Sequence, residues 1–517
     1  MGLWTANLPA LLGLSPYVVW PFLSIGLILL PATAYALYNL FLHPLRVVPG
    51  PKLWAATQIP YTIVWLTGRL QFVVHDLHET YGDVVRVAPN RLSFTHPDAW
   101  RDVRGHRKNG QGEHGKDAII YFNSRHNILG ASREDHARFR RILSHGFSAR
   151  SMQEQQPLIT RYVDLLMQRL RERTSGSGGE RHEAVVNLAA WFNFTTFDVI
   201  GDLAFGEPFG CLEESRFHPW VDAILTTLAT VGTASAIQWY LPGMLSVAKA
   251  FAPKRYVGAG FDNQTDLARE RVARRLALSG GRPDFVEAMA TAKADDGRML
   301  TMEEMTANAR LLVLAGSETT ATALTATSYF LATHPDVQAK LADEVRTTFA
   351  TEDEIDLFSV NSLRYMLAVL DEAMRVFPPV PSQLPRTCHP EGDIICGYHV
   401  PGGTGLDIWP WAMNHSSRNF TEPEKFIPER WLPDDQYQGQ HFYKQRQGAL
   451  QPFSVGPRNC IGKNLAYVEM RLILARLIFN YDLALADGVT EPFLENRAFT
   501  LWLKRSLHVR LIPVERK

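Results

Sequence analysis

The residues with the greatest chemical potential lie near the C-terminus, in Phe453-Ser-Val-Gly456-Pro-Arg458-Asn-Cys460-Ile-Gly462. The cysteine directly precedes a helical pattern from Leu465 to Phe479. It therefore sits near a helix N-terminus, where the macrodipole and free backbone N–H groups favour thiolate over thiol. Such a thiolate is a soft anionic ligand for iron. Gly456 and Gly462 would let the backbone approach a flat macrocycle, Phe453 would pack beside the sulfur, and Arg458 would meet an acidic arm of that macrocycle. A structural cysteine buried in a turn would explain none of those four positions. Upstream, Glu372-Ala-Met-Arg375 places an acid and a base at i, i+3, on one helix face. Alone it reads as an ordinary surface ion pair. Ala315-Gly316-Ser317-Glu318-Thr319-Thr320 puts a small pair, an acid and two hydroxyls on another helix. A mid-helix glycine costs about 1 kcal/mol against alanine, so this one needs a packing or functional reason.

The cysteine run resembles the haem signature of the cytochrome P-450 family: Phe, two residues, Gly, one residue, Arg, one residue, Cys, one residue, Gly. All five positions match. The resemblance implies heme b as cofactor, with Cys460 as the metal ligand and with Phe453, Arg458, Gly462 and Ala315 around the macrocycle. It also implies a buried network of Glu372, Arg375 and Arg430, the last from Pro428-Glu429-Arg430-Trp431, which would hold the proximal side of the haem pocket. The Ala315-Gly316 pair would leave room for dioxygen. Glu318 would supply protons and Thr319 would be the oxygen-side hydroxyl; Asp is the other common acid there, and Glu adds a methylene. His136 and Arg140 match the family's Trp-x-x-x-Arg element with His in place of Trp, and Arg386 matches an arginine on the strand after the Glu-x-x-Arg helix. These three would neutralise the haem propionates. The resemblance runs from about His43 to the C-terminus, with its motifs in order.

The elements that must position these residues are mostly helices. Helical periodicity covers Phe72 to Tyr81, Glu134 to Leu143, Gln156 to Arg173, Val185 to Phe205, Met302 to His334, Pro335 to Phe349 and Leu363 to Phe377. Val84 to Val87 and Arg91 to Thr95 read as strands, and 391–409 as a second patch of strand. The breaks at Ser175 to Gly179, Gly280 to Pro283 and the prolines 378–385 are too short for interdomain linkers. One large, mainly α domain with a small β portion is expected over 46–517, behind a membrane anchor at 1–45.

The anchor rests on composition. The first charged residue is Arg46, and Tyr17 to Leu42 is almost wholly apolar. As a helix those 26 residues would run roughly 39 Å, enough to span a bilayer with some tilt. A cleaved signal peptide would need a basic n-region and a small-residue cleavage site, and neither stands out. Arg46 and Lys52 then favour a cytosolic catalytic domain, which points to a single-pass protein of the endoplasmic reticulum. Pro49-Gly50-Pro51 reads as a stiff hinge. Lys plus Arg and Asp plus Glu are both 53, which argues against a general nucleic-acid binder. Four cysteines with no CxxC pair exclude zinc ribbons and thioredoxin-type sites and fit free thiols in a reducing compartment. Sequons at Asn193, Asn263, Asn414 and Asn419 are then expected to stay unmodified.

The implied reaction inserts one atom of O2 into a hydrophobic small molecule, with electrons from NADPH through a membrane-bound flavoprotein reductase, since the chain has no dinucleotide fingerprint of its own. Asn39-Leu-Phe-Leu-His43-Pro44-Leu45 also looks like filamentous-fungal members that act on secondary metabolites. The alternatives are a haem-thiolate isomerase or dehydratase and a non-enzymatic haem sensor or carrier; Glu318-Thr319 argues against the first. Family-like positions for the pocket walls are Ile119 to Leu129, Thr227 to Trp239, Leu311 to Ala315, Val380 to Leu384, and Phe499 to Thr500. Their apolar lining suits a rigid, mid-sized polyketide, terpenoid or alkaloid intermediate. Trp239 to Phe251 would lie near the bilayer.

Overall fold

A computed structural model describes residues 16–107, 112–121, 124–176, 180–240, 259–278, 284–292, 297–433, 445–486 and 493–515. Helix α1 (Pro16–Leu37) carries no charged residue and runs into a single π turn, Tyr38–Leu42. Tyr17, Leu27, Leu30 and Leu37 are exposed. Several neighbouring side chains lie outside the described set, and among the described residues no helix is long and apolar enough to cross a membrane.

Arg86 fixes where the chain enters the domain. Its buried guanidinium donates to Asn39 O (2.9 Å) and Pro89 O (2.7 Å), its backbone N–H donates to Pro49 O (2.8 Å), and the Asn39 amide donates to Ala56 O (3.0 Å). Pro49-Gly50-Pro51 is thereby laid against strand β1 (Val84–Ala88), so closely that a Cβ on Gly50 would stand 2.5 Å from Arg86 O. The segment's direction is set by these bonds as well as by proline stiffness.

The helices that matter for the site are α2 (Leu70–Tyr81), α3 (Arg133–Ser144), α4 (Ala149–Arg173), α5 (Leu188–Phe205), α6 (Pro219–Tyr240), α7 (Ala259–Ala277), α8 (Met302–Thr333), α9 (Pro335–Thr348), α10 (Arg364–Val376) and α11 (Lys463–Asn480). Local chemistry starts several of them. Ser132 Oγ accepts from Asp135 N at the head of α3, and Thr301 with Glu304 forms a reciprocal capping box at the head of α8. Helix α8 is buried on most of its circumference and crosses α5 at close range; a Cβ on Gly316 would lie 2.8 Å from Ile200 Cδ1. That close packing is the reason for the mid-helix glycine.

The helix expected from Val185 starts three residues later. Val185 to Asn187 belongs to strand β4 (Ala184–Asn187), and the helix starts at Leu188. Two β-branched residues there pair with β12 (His508–Pro513), Val186 opposite Val509, while Asn187 Oδ1 accepts from Ala190 N and caps α5. Pairing with a strand more than 300 residues away in sequence overrides the local helical period. The main sheet has the order β1-β2-β8-β5-β3, with β2 (Arg91–Phe94) parallel to β8 (Gly405–Ile408), and β5 (Arg386–Thr387) antiparallel to β3 (Gly115–Lys116). The expected strands within 391–409 are β6 (Asp393–Ile395), β7 (Tyr398–Val400) and β8. All four cysteines are free, and the Asn193, Asn414 and Asn419 side chains are buried, closed to glycosylation. Residues 241–251 of the stretch expected near the bilayer lie outside the described residues.

Candidate active site

The cysteine loop is built by its backbone. Cys460 N donates to Phe453 O (2.9 Å), and Asn459 N to Gly456 O (3.1 Å). Gly456 has φ +78°, and a Cβ there would fall 1.9 Å from Arg104 O. Its missing side chain therefore serves contact with the segment around Arg104 rather than with a macrocycle. Gly462 faces the sulfur: a Cβ there would lie 4.0 Å from Cys460 Sγ. Phe453 packs 5.1 Å from the Tyr467 ring of α11. Cys460 keeps accessible surface although protein surrounds it. Burial raises the pKa of its thiol, against the lowering by Gly462 N–H, Arg140 and Lys463. The Gly462 N–H acts in the direction expected of a helix end, and burial opposes it. Cys460 would hold the metal as thiolate, since a coordinating thiol is deprotonated by the ion it binds.

A cation cluster stands beside this loop. Arg104, Lys116, Arg386 and Arg458 lie within one another's field, with Glu113 acting on Lys116, Arg386 and Arg458 and Asp407 on Arg104. Arg458 pairs with Glu113 (2.5 Å) and donates to Ala131 O (2.9 Å); Arg386, on β5, donates to His114 O (3.3 Å). Burial and the neighbouring guanidiniums pull the Lys116 ammonium well below its ordinary value, and Arg104 falls to about 10 for the same reasons. Arg104 Nε and the Tyr121 hydroxyl are buried without hydrogen-bond partners. A cluster of basic side chains with orphaned donors among them fits a ligand carrying two carboxylates, as haem does. His136 lies within this field, and burial, then Arg458, lowers it to about 3, so its ring is neutral. Arg140 is placed differently: it donates to Asn459 O (2.6 Å) and Oδ1 (2.5 Å), beside Cys460. Glu113, Lys116 and Arg104 carried no signal in the sequence, because only tertiary folding groups them.

Glu372, Arg375 and Arg430 meet in a fully enclosed triad. Arg375 donates to Glu372 through Nη2 (2.8 Å) and Nε (2.9 Å), and Arg430 Nε donates to Glu372 Oε1 (2.9 Å). Trp431 Nε1 (2.8 Å) and Ile427 N (2.9 Å) complete the carboxylate's shell.

On α8, Ala315 is exposed and Thr319, one turn later, is half-buried on the same face. The Thr319 hydroxyl donates to Ala315 O (2.7 Å), which leaves its lone pairs free to accept a proton donor. Glu318 is buried and paired with Lys504 Nζ at 2.8 Å. Lys504 was not anticipated; a lone lysine after a short strand gives no pattern. Of the expected pocket walls, Phe122 and Asn123 and several side chains of Thr227 to Trp239 lie outside the described residues. Ser382, Gln383 and Phe499 are buried.

A family model described as Cytochrome P450 matches residues 48–509. A trichothecene C-15 hydroxylase of Fusarium sporotrichioides is 44% identical over 500 residues, covering 96% of this chain and 99% of its own. An averantin hydroxylase of Dothistroma septosporum is 41% identical over 511 residues, covering 96% and 93%. The cytochrome P450 monooxygenase astJ of Aspergillus oryzae is 41% identical over 479 residues, covering 92% and 93%.

Proposed function

The chain belongs to the cytochrome P450 family of haem-thiolate monooxygenases, and from that premise we propose that it hydroxylates a rigid, mid-sized apolar intermediate of fungal secondary metabolism. The observation that carries the reading is Thr319, which shares the open face of α8 with the small Ala315 and donates its hydroxyl to Ala315 O (2.7 Å). Haem activates dioxygen when electrons reach its iron, and thiolate ligation favours O–O cleavage. The residues of the chain do the rest. Cys460 holds the iron; Arg458, Arg386, Arg104 and Lys116 take the propionates, with neutral His136 as a hydrogen-bond partner. Arg140 braces the cysteine loop through Asn459. Thr319 passes a proton supplied by way of Glu318.

Two relatives are named as hydroxylases, of a trichothecene and of averantin, and a polyketide, terpenoid or alkaloid substrate agrees with the apolar walls. Electrons come from NADPH through a flavoprotein reductase in the same membrane. The membrane reading is supported by the uncharged α1 and by exposed Leu53, Ile59, Ile63 and Leu66 where the chain enters the domain. In that arrangement α1 is a single-pass anchor and the domain faces the cytosol from the endoplasmic reticulum. The test is turnover of a panel of rigid polycyclic candidates, chosen by spectral displacement of water from the ferric iron, with NADPH and reductase present. Products one oxygen heavier, formed only with NADPH, are expected. Rearranged or dehydrated products formed without NADPH would overturn the reading.

A further inference from the structure

Asn308 stands about two helical turns before Ala315, so the two residues share one face of α8. Its side chain is fully enclosed, and both ends of its amide are engaged. Oδ1 accepts from Ile128 N (2.9 Å), while Nδ2 donates to Glu304 O (2.8 Å) and His126 O (3.4 Å). These partners fix which way the amide faces, since a backbone N–H only donates and a backbone carbonyl only accepts. The bond to Glu304 stays within α8. The other two cross to the loop 124–131.

Most of that loop is satisfied from within. Asn127 N donates to Ser124 O (3.3 Å), Ala131 N to Asn127 O (3.1 Å), and Leu129 N (3.1 Å) and Gly130 N (3.4 Å) to Asn127 Oδ1. A Cβ on Gly130 would lie 2.5 Å from Ser124 Cβ, so the turn is tight. From 127 to 131 the N–H of Ile128 is the one whose acceptor comes from another element. Asn308 thus stands in for a neighbouring strand, pairing one N–H and one carbonyl of the loop as a peptide group would. The far end is held by Arg458 of the cysteine loop, which donates to Ala131 O (2.9 Å). Helix α8 has no need of Asn308 for its own placement: its first turn carries the Thr301–Glu304 capping box, and Glu304 pairs with Arg138 of α3 (3.1 Å). What Asn308 adds is the registration of the loop against the helix.

We propose that Asn308 is a specificity-determining positioning residue: it locks the 126–131 segment at one distance from the face of α8 that carries Ala315 and Thr319, so that the site selects its substrate by rigid shape. The inference rests on the proposed reading of these two segments as walls of the haem-side pocket. A wall locked before binding loses little freedom when a matching rigid molecule arrives, and it does not yield to one of the wrong size. A loop tied only at Ala131 would yield to both.

The test uses haem-loaded, full-length protein and two readouts that need no turnover. The first is the set of dissociation constants for imidazole, phenylimidazole and biphenylylimidazole, read from the absorption of the ferric haem; imidazole is too small to reach the wall, and the other two extend toward it. The second is hydrogen exchange of peptides covering 124–131. Asn308→Leu, similar in volume but without donor or acceptor, should speed exchange there by about tenfold, as the loss of one hydrogen bond implies. It should leave imidazole affinity unchanged and narrow the ratio of the phenyl to the biphenylyl constant by about fivefold. Asn308→Asp should restore both readouts, because a buried carboxyl is held neutral and can still accept from Ile128 N while donating to Glu304 O. If Asn308→Leu does not load haem, Asn308→Ala carries the same expectations. Unchanged exchange in these variants overturns the inference, and so does faster exchange with a wild-type ratio of constants, which would leave Asn308 a brace for the loop alone; the hydroxylase reading survives either result. A wild-type protein whose haem spectrum no azole shifts removes the reading of the site itself, and this inference with it.

Discussion

Replacing Glu372 by Gln tests the buried triad most severely. The carboxylate accepts five hydrogen bonds: Oε1 from Arg375 Nη2, Arg430 Nε and Ile427 N, and Oε2 from Arg375 Nε and Trp431 Nε1. Glutamine retains one acceptor oxygen, so its amide nitrogen must face two of those donors. The charge change matters more. Arg375 and Arg430 are both enclosed, and carbonyls of Asn414, Pro423, Lys425 and Thr421 hold their guanidiniums in place, so neither can swing out to water. Two buried like charges then lose their shared counter-ion, and breaking a buried pair in this way costs about 3–5 kcal/mol. Unfolding entropy of about 2.1 cal/mol/K per residue, over the roughly 470 residues beyond the anchor, makes this a fall of about 3–5 °C in melting temperature. Trp431→Phe removes one bond to the same carboxylate and leaves the charges paired, so it should cost about 1.5–3 kcal/mol. The assay is the haem-to-protein ratio after purification, with the melting temperature of whatever fraction loads. Haem loading should fall steeply for Glu372→Gln and mildly for Trp431→Phe. A Glu372→Gln protein that loads and melts like Trp431→Phe would refute the reasoning from buried charge.

Thr319→Ala should bind haem normally yet divert reducing equivalents to peroxide; equal product per NADPH in variant and wild type would remove Thr319 from the mechanism. Deleting residues 1–45 should release much of the protein from membranes with its haem spectrum intact, and loss of haem on truncation would show the boundary to be misplaced. His78 gives a pH signature. Its Nδ1 bonds Gly82 O (2.8 Å), its Nε2 bonds Ser93 Oγ (2.7 Å), and burial depresses it to about 4. The unfolded chain therefore takes up this proton first, so stability present above about pH 6.5 is lost as pH falls toward 4, by up to about 3 kcal/mol. His78→Gln should flatten that part of the melting profile, and an unchanged slope would show that other groups dominate it.

The sequence carried these groups unequally. The loop 453–462 was legible because its constraint is local: a glycine at positive φ, an arginine and a cysteine at fixed spacing before a helix. Glu372 and Arg375 share a face by helical period alone, but only the resemblance joined Arg430 to them across the intervening chain. Gly316 was visible as an anomaly, though its cause, the Ile200 side chain across the α5–α8 crossing, was not. Val185 and Val186 misled because their partner strand lies at the far end of the chain. Arg104, Glu113, Lys116 and Lys504 were silent because a charge becomes informative only once folding shows which charges surround it. Cys460 was legible by its place before a helix, whereas the burial that raises its free thiol is a tertiary property.

The central claim is that Cys460 holds the haem iron as a thiolate, and the carbon monoxide difference spectrum of the reduced protein tests it most directly. Wild type should show the thiolate-type band. Cys460→Ala should lack it entirely, because Cys211 and Cys388 are buried in hydrophobic clusters and burial raises the thiols of Cys211, Cys388 and Cys396 alike. A Cys460→Ala protein that retained the thiolate-type band would contradict the account.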